Sequence, residues 1–480
     1  MLIKRSIACV FAFMSMVGLY AQNKELLYNF SEIPQSLMLN PGGKQPGRAY
    51  IGVPLVSGLY GSASSSNISV YDAFEDGRFN LDPNKSKMEE RLEYVIGRLD
   101  RNDTQRATQQ IELFNAGLEI GGLFNKYFLS FGLYKETDFF NYWPEDLAYL
   151  GYYGNQTGTS RYNLADANLK GEVVTVLHVG LQHELNEKWT IGGRLKFYSS
   201  NMDVTSIDNK GFVGSGSESD QIFNADAVVH TSNNQRLKEI YRYIRDDIFD
   251  GDVDPISDAI ALHRKVYAQG PFISKNIGVG IDLGFTYEPS ENWSYSASIL
   301  DLGFINHKED VVNYVVTGTS GFEGTSNSGS DPEDLLQVIE GDFNRTYNAE
   351  SYTTMRPVEF YASAMYRFGY FRSNKPCNCP TSKDLPSAIG LQLFAEKRPR
   401  NPEIALTAFY YRKIWEPLRI KATYTVDKYS KTNLGLGLST HFANFNFYLL
   451  ANNLLEYGNL ADANTLTLQM GLNYVFPVKR

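Results

Sequence analysis

Four stretches carry residue types that could do chemistry. His178 and His183 stand five apart in an alternating segment. An odd spacing on a strand puts two side chains on opposite faces, so the pair cannot share a metal ion. Asp250-x-Asp252-x-Asp254 opens like a calcium loop, but Pro255 stands where the sixth-position glycine is needed and Ala261 where a glutamate should close the cage. A solvated acidic loop is the expectation there. Gly214-Ser215-Gly216-Ser217 lacks the Gly-x-Ser-x-Gly spacing of a nucleophile elbow and reads as a loop. Cys377 and Cys379 form a Cys-x-Cys pair, and two thiols with no following Cys or His pattern do not make a zinc site. They are expected in a loop, oxidised in the periplasm or at the cell surface. No Ser/His/acid set assembles elsewhere. No catalytic, cofactor-binding or metal-binding residue is therefore assigned, and a non-enzymatic protein with no cofactor is expected.

What remains is pattern, which is strongest in the strands. Along Thr465–Phe476, Leu466, Leu468, Met470, Leu472, Tyr474 and Phe476 share one face. Thr465, Thr467, Gln469, Gly471 and Asn473 share the other, which is small or polar. The segment is about as long as a tilted strand needs to be to cross a bilayer. The six apolar side chains are expected to face lipid, and Thr465, Thr467, Gln469 and Asn473 the lumen of a barrel. The mean hydropathy of −0.31 is compatible with this, because only half of each barrel strand must be apolar. The formal charge of −9 and the lack of a basic patch with interleaved aromatics exclude nucleic acid as a partner.

The chain begins with an export signature. Lys4 and Arg5 precede the apolar run Ile7–Tyr20, and Ala21-Gln22 is a plausible cleavage point, so residues 1–21 read as a signal peptide. Cys9 falls too early to be a lipoprotein anchor. No later apolar run reaches the roughly 18 residues of a membrane helix. An exported chain without such a helix can still span a membrane as a closed barrel, which leaves no backbone edge unpaired.

The same alternation recurs along the chain. Arg48–Ser62 reads as a first strand weakened by Pro54 and glycines, and Ile111–Leu123 with Tyr127–Glu136 as a hairpin. Two further hairpins share a turn: Gly180, Glu184, Glu187 and Trp189 have the spacing of Gly284, Glu288, Glu291 and Trp293. Both read as short periplasmic turns with a Trp at the membrane interface. From Val358 onward strands follow almost without interruption, with charged residues such as Arg419 and Lys421 on the second face. Long insertions are expected at Met202–Ser274 and Asn306–Ser351. Helices are expected at Lys85–Leu99, at Asn234–Phe249 and from Asp331 to Phe343, the last capped by Ser330. Long loops on one end and short turns on the other are the asymmetry of an outer-membrane barrel.

The fold class is thus all-β: a transmembrane antiparallel barrel of about 14 strands (roughly 12–16) with short helices in long extracellular loops. Side chains cannot fill so wide an interior, so residues 22–47 are expected inside it as a plug or hatch, with residues 48–480 forming the barrel. A soluble secreted β-sandwich is the structural alternative.

Three motifs carry a resemblance. Ser36 to Gly42, ending in Asn40-Pro41-Gly42, resembles the S-x-x-x-N-P-A/G segment that follows the signal in Bacteroidota outer-membrane barrels. Leu300-Asp301-Leu302-Gly303-Phe304-Ile305 resembles their DLGFI strand end, and the Gly-x-x-x-Glu…Trp turns are of their type. The chain is similar to a Bacteroidota family labelled as a domain of unknown function. It also resembles the PorP/SprF-like and PorV-like proteins of the type IX secretion group and, more distantly, FadL-type fatty-acid channels. Gly42 stands where alanine is common. The resemblance implies a FadL-sized barrel in the outer membrane, in contact with lipid and lipopolysaccharide. One expected function is a channel for small hydrophobic molecules; the other is an accessory or surface scaffold that meets secretion-machine proteins. A channel of the first kind should show an apolar pocket beside the hatch. A scaffold should show a blocked lumen.

Overall fold

A computed structural model describes residues 24–45, 47–69, 87–121, 126–142, 145–153, 161–163, 165, 168–207, 209–215, 220–242, 273–323, 344–369, 385–458 and 463–476. The signal segment, the acidic run at 250–261, the helix expected from Asp331 to Phe343 and the Cys377/Cys379 pair lie outside the described residues.

The strands in chain order are β1 (Ala49–Gly52), β2 (Leu59–Ser65), β3 (Thr104–Gly121), β4 (Lys126–Tyr142), β5 (Arg161–Asn163), β6 (Leu169–Glu184) and β7 (Trp189–Ser206). Next come β8 (Lys210–Ser215), β9 (Asp220–Ser232), β10 (Ile277–Tyr287), β11 (Trp293–His307), β12 (Val312–Glu323), β13 (Asn344–Asn348) and β14 (Tyr352–Met355). The last are β15 (Glu359–Phe368), β16 (Ser387–Glu396), β17 (Glu403–Lys413), β18 (Leu418–Val426), β19 (Asn433–Phe442), β20 (Phe445–Asn452) and β21 (Thr465–Phe476).

Pairing closes them into a ring. β3 follows β1 and β2, then β4, β6, β7, β10 and β11; β14 and β15 follow, and β16 to β21 complete the wall. β21 returns to β1 through Ala49↔Phe476 and to β2 through Leu59↔Met470, so every neighbour is antiparallel and no edge is left. β1 and β2 are one wall strand broken at Val53–Gly58, as Pro54 and the glycines foretell, and β14 and β15 are one strand broken around Pro357. The closed wall thus has 14 strands among the described residues, which excludes a sandwich.

The two ends differ. Turns 185–188, 288–292, 414–417 and 443–444 lie at one end, together with the start of β1 and the end of β21. The strand ends that flank the long stretches between β2 and β3, β4 and β6, β7 and β10, and β11 and β14 lie at the other. One pair of strand ends departs from the expected asymmetry: β15 ends at Phe368 and β16 begins at Ser387, far along the chain, at the short-turn end. α1 (Lys87–Ile96) and α3 (Asn234–Arg242) form inside the stretches read as helical, and α2 (Glu145–Tyr153) adds a third. The insertions read as loops with helices also hold strands. The upper end of β7 pairs with β9, β9 with β8 and β12, β8 with β5, and β12 with β13, making a small sheet beyond the wall. Outside the bilayer a sheet needs no wholly apolar face. Segments such as Thr317-Gly318-Thr319-Ser320-Gly321 therefore give no period-two signal.

The outer face is oily. Leu177, Leu195, Leu391, Ile404 and Leu406 are 48–56% exposed, far more than a water-soluble surface tolerates in so continuous a band. On β21, Leu468, Met470, Leu472, Tyr474 and Phe476 lie on this face, while Thr465, Thr467, Gln469 and Asn473 are buried inside. Leu466 departs from the expectation at 6% exposure, next to the turn whose Tyr457 hydroxyl donates to Thr467 O. At the short-turn end Trp189 stacks on Tyr287 at 4.4 Å and Trp293 meets Tyr366 at 5.1 Å, an aromatic belt where one was expected. Placing a charge in the middle of the oily band tests the wall. Leu391→Arg should destabilise the barrel in vesicles by about 2–4 kcal/mol, measured by urea unfolding. An unchanged midpoint would mean that Leu391 does not face lipid.

Candidate functional site

A 14-strand wall encloses space that must be filled by something, and residues 24–45 fill it. The segment is short turns and one 3-10 turn, Pro34–Met38, started by the proline whose missing N–H costs nothing there. Its apolar residues are spaced irregularly and point to several sides. Leu26, Leu27, Tyr28, Phe30, Ile33 and Leu39 pack against the inward residues Leu300, Tyr361, Phe394, Tyr448 and Leu450. Tyr28 stacks on Tyr361 with ring centres 5.0 Å apart. Leu37 joins a second cluster with Tyr50, Phe128 and Val475. The plug brings a small hydrophobic core into an otherwise polar lumen.

Irregular backbone has few internal hydrogen bonds, so its carbonyls need donors from elsewhere. The wall supplies them. Lys421 Nζ donates to Glu25 O at 2.8 Å and to Tyr28 O at 2.6 Å, and Gln392 donates to Tyr28 O. Arg194 reaches Met38 O at 2.9 Å and Leu37 O at 2.5 Å, and Ser298 Oγ reaches Leu39 O. Side-chain contacts add to these: Gln35 bonds Glu112 and exchanges hydrogen bonds with Asn473, Asn452 donates to Glu25, and Tyr411 donates to Glu32. Lys421 is completely buried, its charge lying over the Phe409 ring at 4.7 Å.

The motifs behind the family resemblance meet here. Asn40-Pro41-Gly42 is an Asx turn, with Gly42 N donating to Asn40 Oδ1 at 2.9 Å. It presses on two wall glycines. A Cβ on Gly192 would stand 2.1 Å from Pro41 O, and one on Gly284 2.2 Å from Asn40 Oδ1. Gly284 and Glu288 belong to the second of the repeated turns, and Glu288 holds Lys44 of the plug at 2.8 Å and Arg367 at 2.6 Å. In the first repeat the matching Glu184 is exposed, so the two turns share a shape but not this contact. The DLGFI stretch is a strand defect with a use. Leu300 and Asp301 both point inward, forming a bulge in which these two residues face Asp282 alone on β10, and Asp301 takes φ +57°. Its carboxylate accepts from Lys196 at 2.9 Å and Tyr198 at 2.7 Å.

Beside the inner end of the plug lies a cavity of about 60 Å³. Its walls include Arg106, Glu136, Asp138, Lys196, Asp301, Arg356, Glu359 and Glu396, with Lys24 of the plug and the rings of Tyr60, Tyr134, Tyr361 and Phe394. Most of the charges are paired: Arg106 with Glu396 at 2.5 Å, Arg356 with Glu136 at 2.6 Å and with Glu172, Lys196 with Asp282 at 3.1 Å. The pocket beside the hatch is therefore charged rather than apolar. It is also blocked on one side by the plug, so the two features that were to separate a hydrophobic channel from a scaffold do not fall together.

The sequence-derived chemistry does not converge on this lumen. His178 points inward and is buried, while His183 lies on the opposite face. Gly214 and Ser215 end β8 in the outer sheet. Among the described residues no group of three His, Cys, Asp or Glu side chains could hold a metal ion. The residues that line the lumen were visible only as charges on the second face of a strand. Their partners, such as Glu25 for Lys421, are hundreds of positions away.

No curated protein matches the sequence. Among solved structures the chain is similar to the Pseudomonas putida toluene transporter TodX, at 10% identity and TM-score 0.38, over 95% of this chain and 93% of that one. It is also similar to the Ralstonia pickettii toluene transporter TbuX, at 9% identity and TM-score 0.40, over 94% and 99%. A Pseudomonas aeruginosa FadL homologue matches at 8% identity and TM-score 0.41, over 94% and 95%. Likeness at this level adds nothing to the strand pairing, which defines the barrel by itself. A family model covers residues 41–452, from the plug's Asn-Pro-Gly turn to the end of β20, and the chain belongs to that family, the family of unknown function DUF5723.

Proposed function

We propose that the protein is a non-enzymatic β-barrel channel of the outer membrane, closed at rest by its own N-terminal segment. Residues 1–21 act as the secretory leader, residues 22–47 as the hatch and residues 48–480 as the barrel. The oily band meets the bilayer, with lipopolysaccharide in its outer leaflet. One observation carries the reading: the lumen is filled by a separate segment held through hydrogen bonds, ion pairs and side-chain packing, not by the wall's own side chains. Such a filling can leave without unfolding the wall. The cargo class is small hydrophobic or amphipathic molecules, and toluene transport by TodX and TbuX is of this kind. The charged cavity favours amphipathic cargo with a polar head over plain hydrocarbon.

A second reading is an accessory or surface-scaffold component of a type IX secretion or gliding machine. The occupied lumen and the sheet projecting from the long-loop end support it. A detergent pull-down from native membranes separates the two: copurified lipid without protein fits a channel, and recovered secretion-machine proteins fit a scaffold.

Loosening the plug tests the channel directly. Gly192→Leu drives a side chain into Pro41 O, and Lys421→Ala leaves the carbonyl of Glu25 without its donor, at about 1–3 kcal/mol, and that of Tyr28 with Gln392 alone. In planar bilayers both variants should conduct at least tenfold more than the wild type, while keeping the heat-modifiable mobility of a folded barrel. Folded variants that conduct no better than wild type would contradict the channel reading.

A further inference from the structure

Lys24 is the first described residue of the plug and lines the charged cavity. Its Nζ donates to Gln110 Oε1 at 2.5 Å and lies 4.5 Å from the centre of the Tyr60 ring. Among the described residues no carboxylate comes within ion-pair distance of it. Glu136 and Glu359 line the same cavity as Lys24. Glu136 is committed to Arg356, but Glu359 has no ion pair or hydrogen bond to its carboxylate among the described residues.

The cavity therefore has the makings of a cation site. Five carboxylates line it against four cations, and one of those four is Lys24 itself. The other three, Arg106, Lys196 and Arg356, are each held by two carboxylates or more. Aromatic faces attract ammonium groups, most strongly where water is excluded. Four aromatic rings line the space, and one already carries an ammonium group. Of the charges that line this cavity, Lys24 and Glu359 are the two without an ion pair among the described residues.

We propose that this cavity binds an organic ammonium group, and that Lys24 occupies it at rest as the chain's own competitor. This rests on the channel reading above and names the polar head of its cargo. At about 60 Å³ the free space suits a few water molecules, since one needs roughly 10–15 Å³. An alkylammonium ion fits only when the Lys24 side chain withdraws. Binding of the cation and loosening of the inner end of the plug are then one event. A neutral hydrocarbon has nothing to exchange for Lys24, and a carboxylate would meet the unpaired Glu359 with no unpaired cation beside it once Lys24 withdraws.

The probe is n-butylammonium, titrated by calorimetry into the folded full-length mature protein in detergent, with n-butyrate and n-butanol as controls. Lys24→Ala should bind butylammonium at least tenfold more tightly than wild type. Adding Glu359→Gln to Lys24→Ala should remove at least tenfold of that affinity, and neither control should bind. Lys24→Ala without a gain, or butyrate bound as tightly as butylammonium, would overturn the cation site. Heat-modifiable mobility confirms that each variant is folded. Failure here with a conducting Gly192→Leu barrel overturns the cation site alone; a silent Gly192→Leu barrel overturns the channel.

Discussion

Fourteen strands closed on themselves enclose more room than their inward side chains can fill. Backbone closure forces this, because a membrane wall cannot carry a free edge. The lumen must be water-filled or occupied, and here it is occupied. The inward faces are accordingly built to receive a chain. They combine a few apolar seats, such as Tyr448 and Leu450, with donors aimed at carbonyls, such as Lys421 and Arg194. Donors to main-chain carbonyls hold a path rather than a side-chain sequence. Specificity comes instead from close approach, where Gly192 and Gly284 admit the Asn-Pro-Gly turn and no larger residue could stand.

The ion pairs have a different role. Arg106, Arg356 and Lys196 bridge strands far apart in the chain across the upper lumen. Removing one partner of such a buried pair strands the other, so they fix the shape of the cavity more than they add stability. The broken strand β14/β15 and the bulge at Leu300/Asp301 both serve this level, delivering Arg356, Glu359 and Asp301 inward out of turn. Regular alternation could not have placed Leu300 and Asp301 side by side.

Much of this was legible in the sequence, and the physical reason is periodicity. A strand in the lipid band must alternate, so β16 to β21, the two Trp turns and the closing strand could be read position by position. Where the constraint lapses, so does the signal. The upper part of β3, Thr104 to Gln110, is polar on both faces but for Ala107 and carries no strand signal; nor do β9 and β12 in the outer sheet. The plug was expected from the width of the barrel, not from its own residues. Its contacts could not be foreseen, since the Lys421 contact with Tyr28 joins positions 393 apart in the chain. Asn40-Pro41-Gly42, Gly284 and Asp301 stood out as motifs, and their meaning appeared only when the first two met and the third proved to be a bulge.

The central claim is that residues 24–45 close a passage and must move to open it. Asn29 and Ser363 touch across the plug and wall at 2.7 Å. With Cys377→Ser and Cys379→Ser removing the native thiols, Asn29→Cys and Ser363→Cys can be bridged by a short, reducible bis-methanethiosulfonate reagent. Single-channel recording across a bilayer then compares the bridged and reduced protein. The account predicts that the bridged barrel shows no openings and that reduction restores them. Openings of equal frequency and size in both states would contradict it.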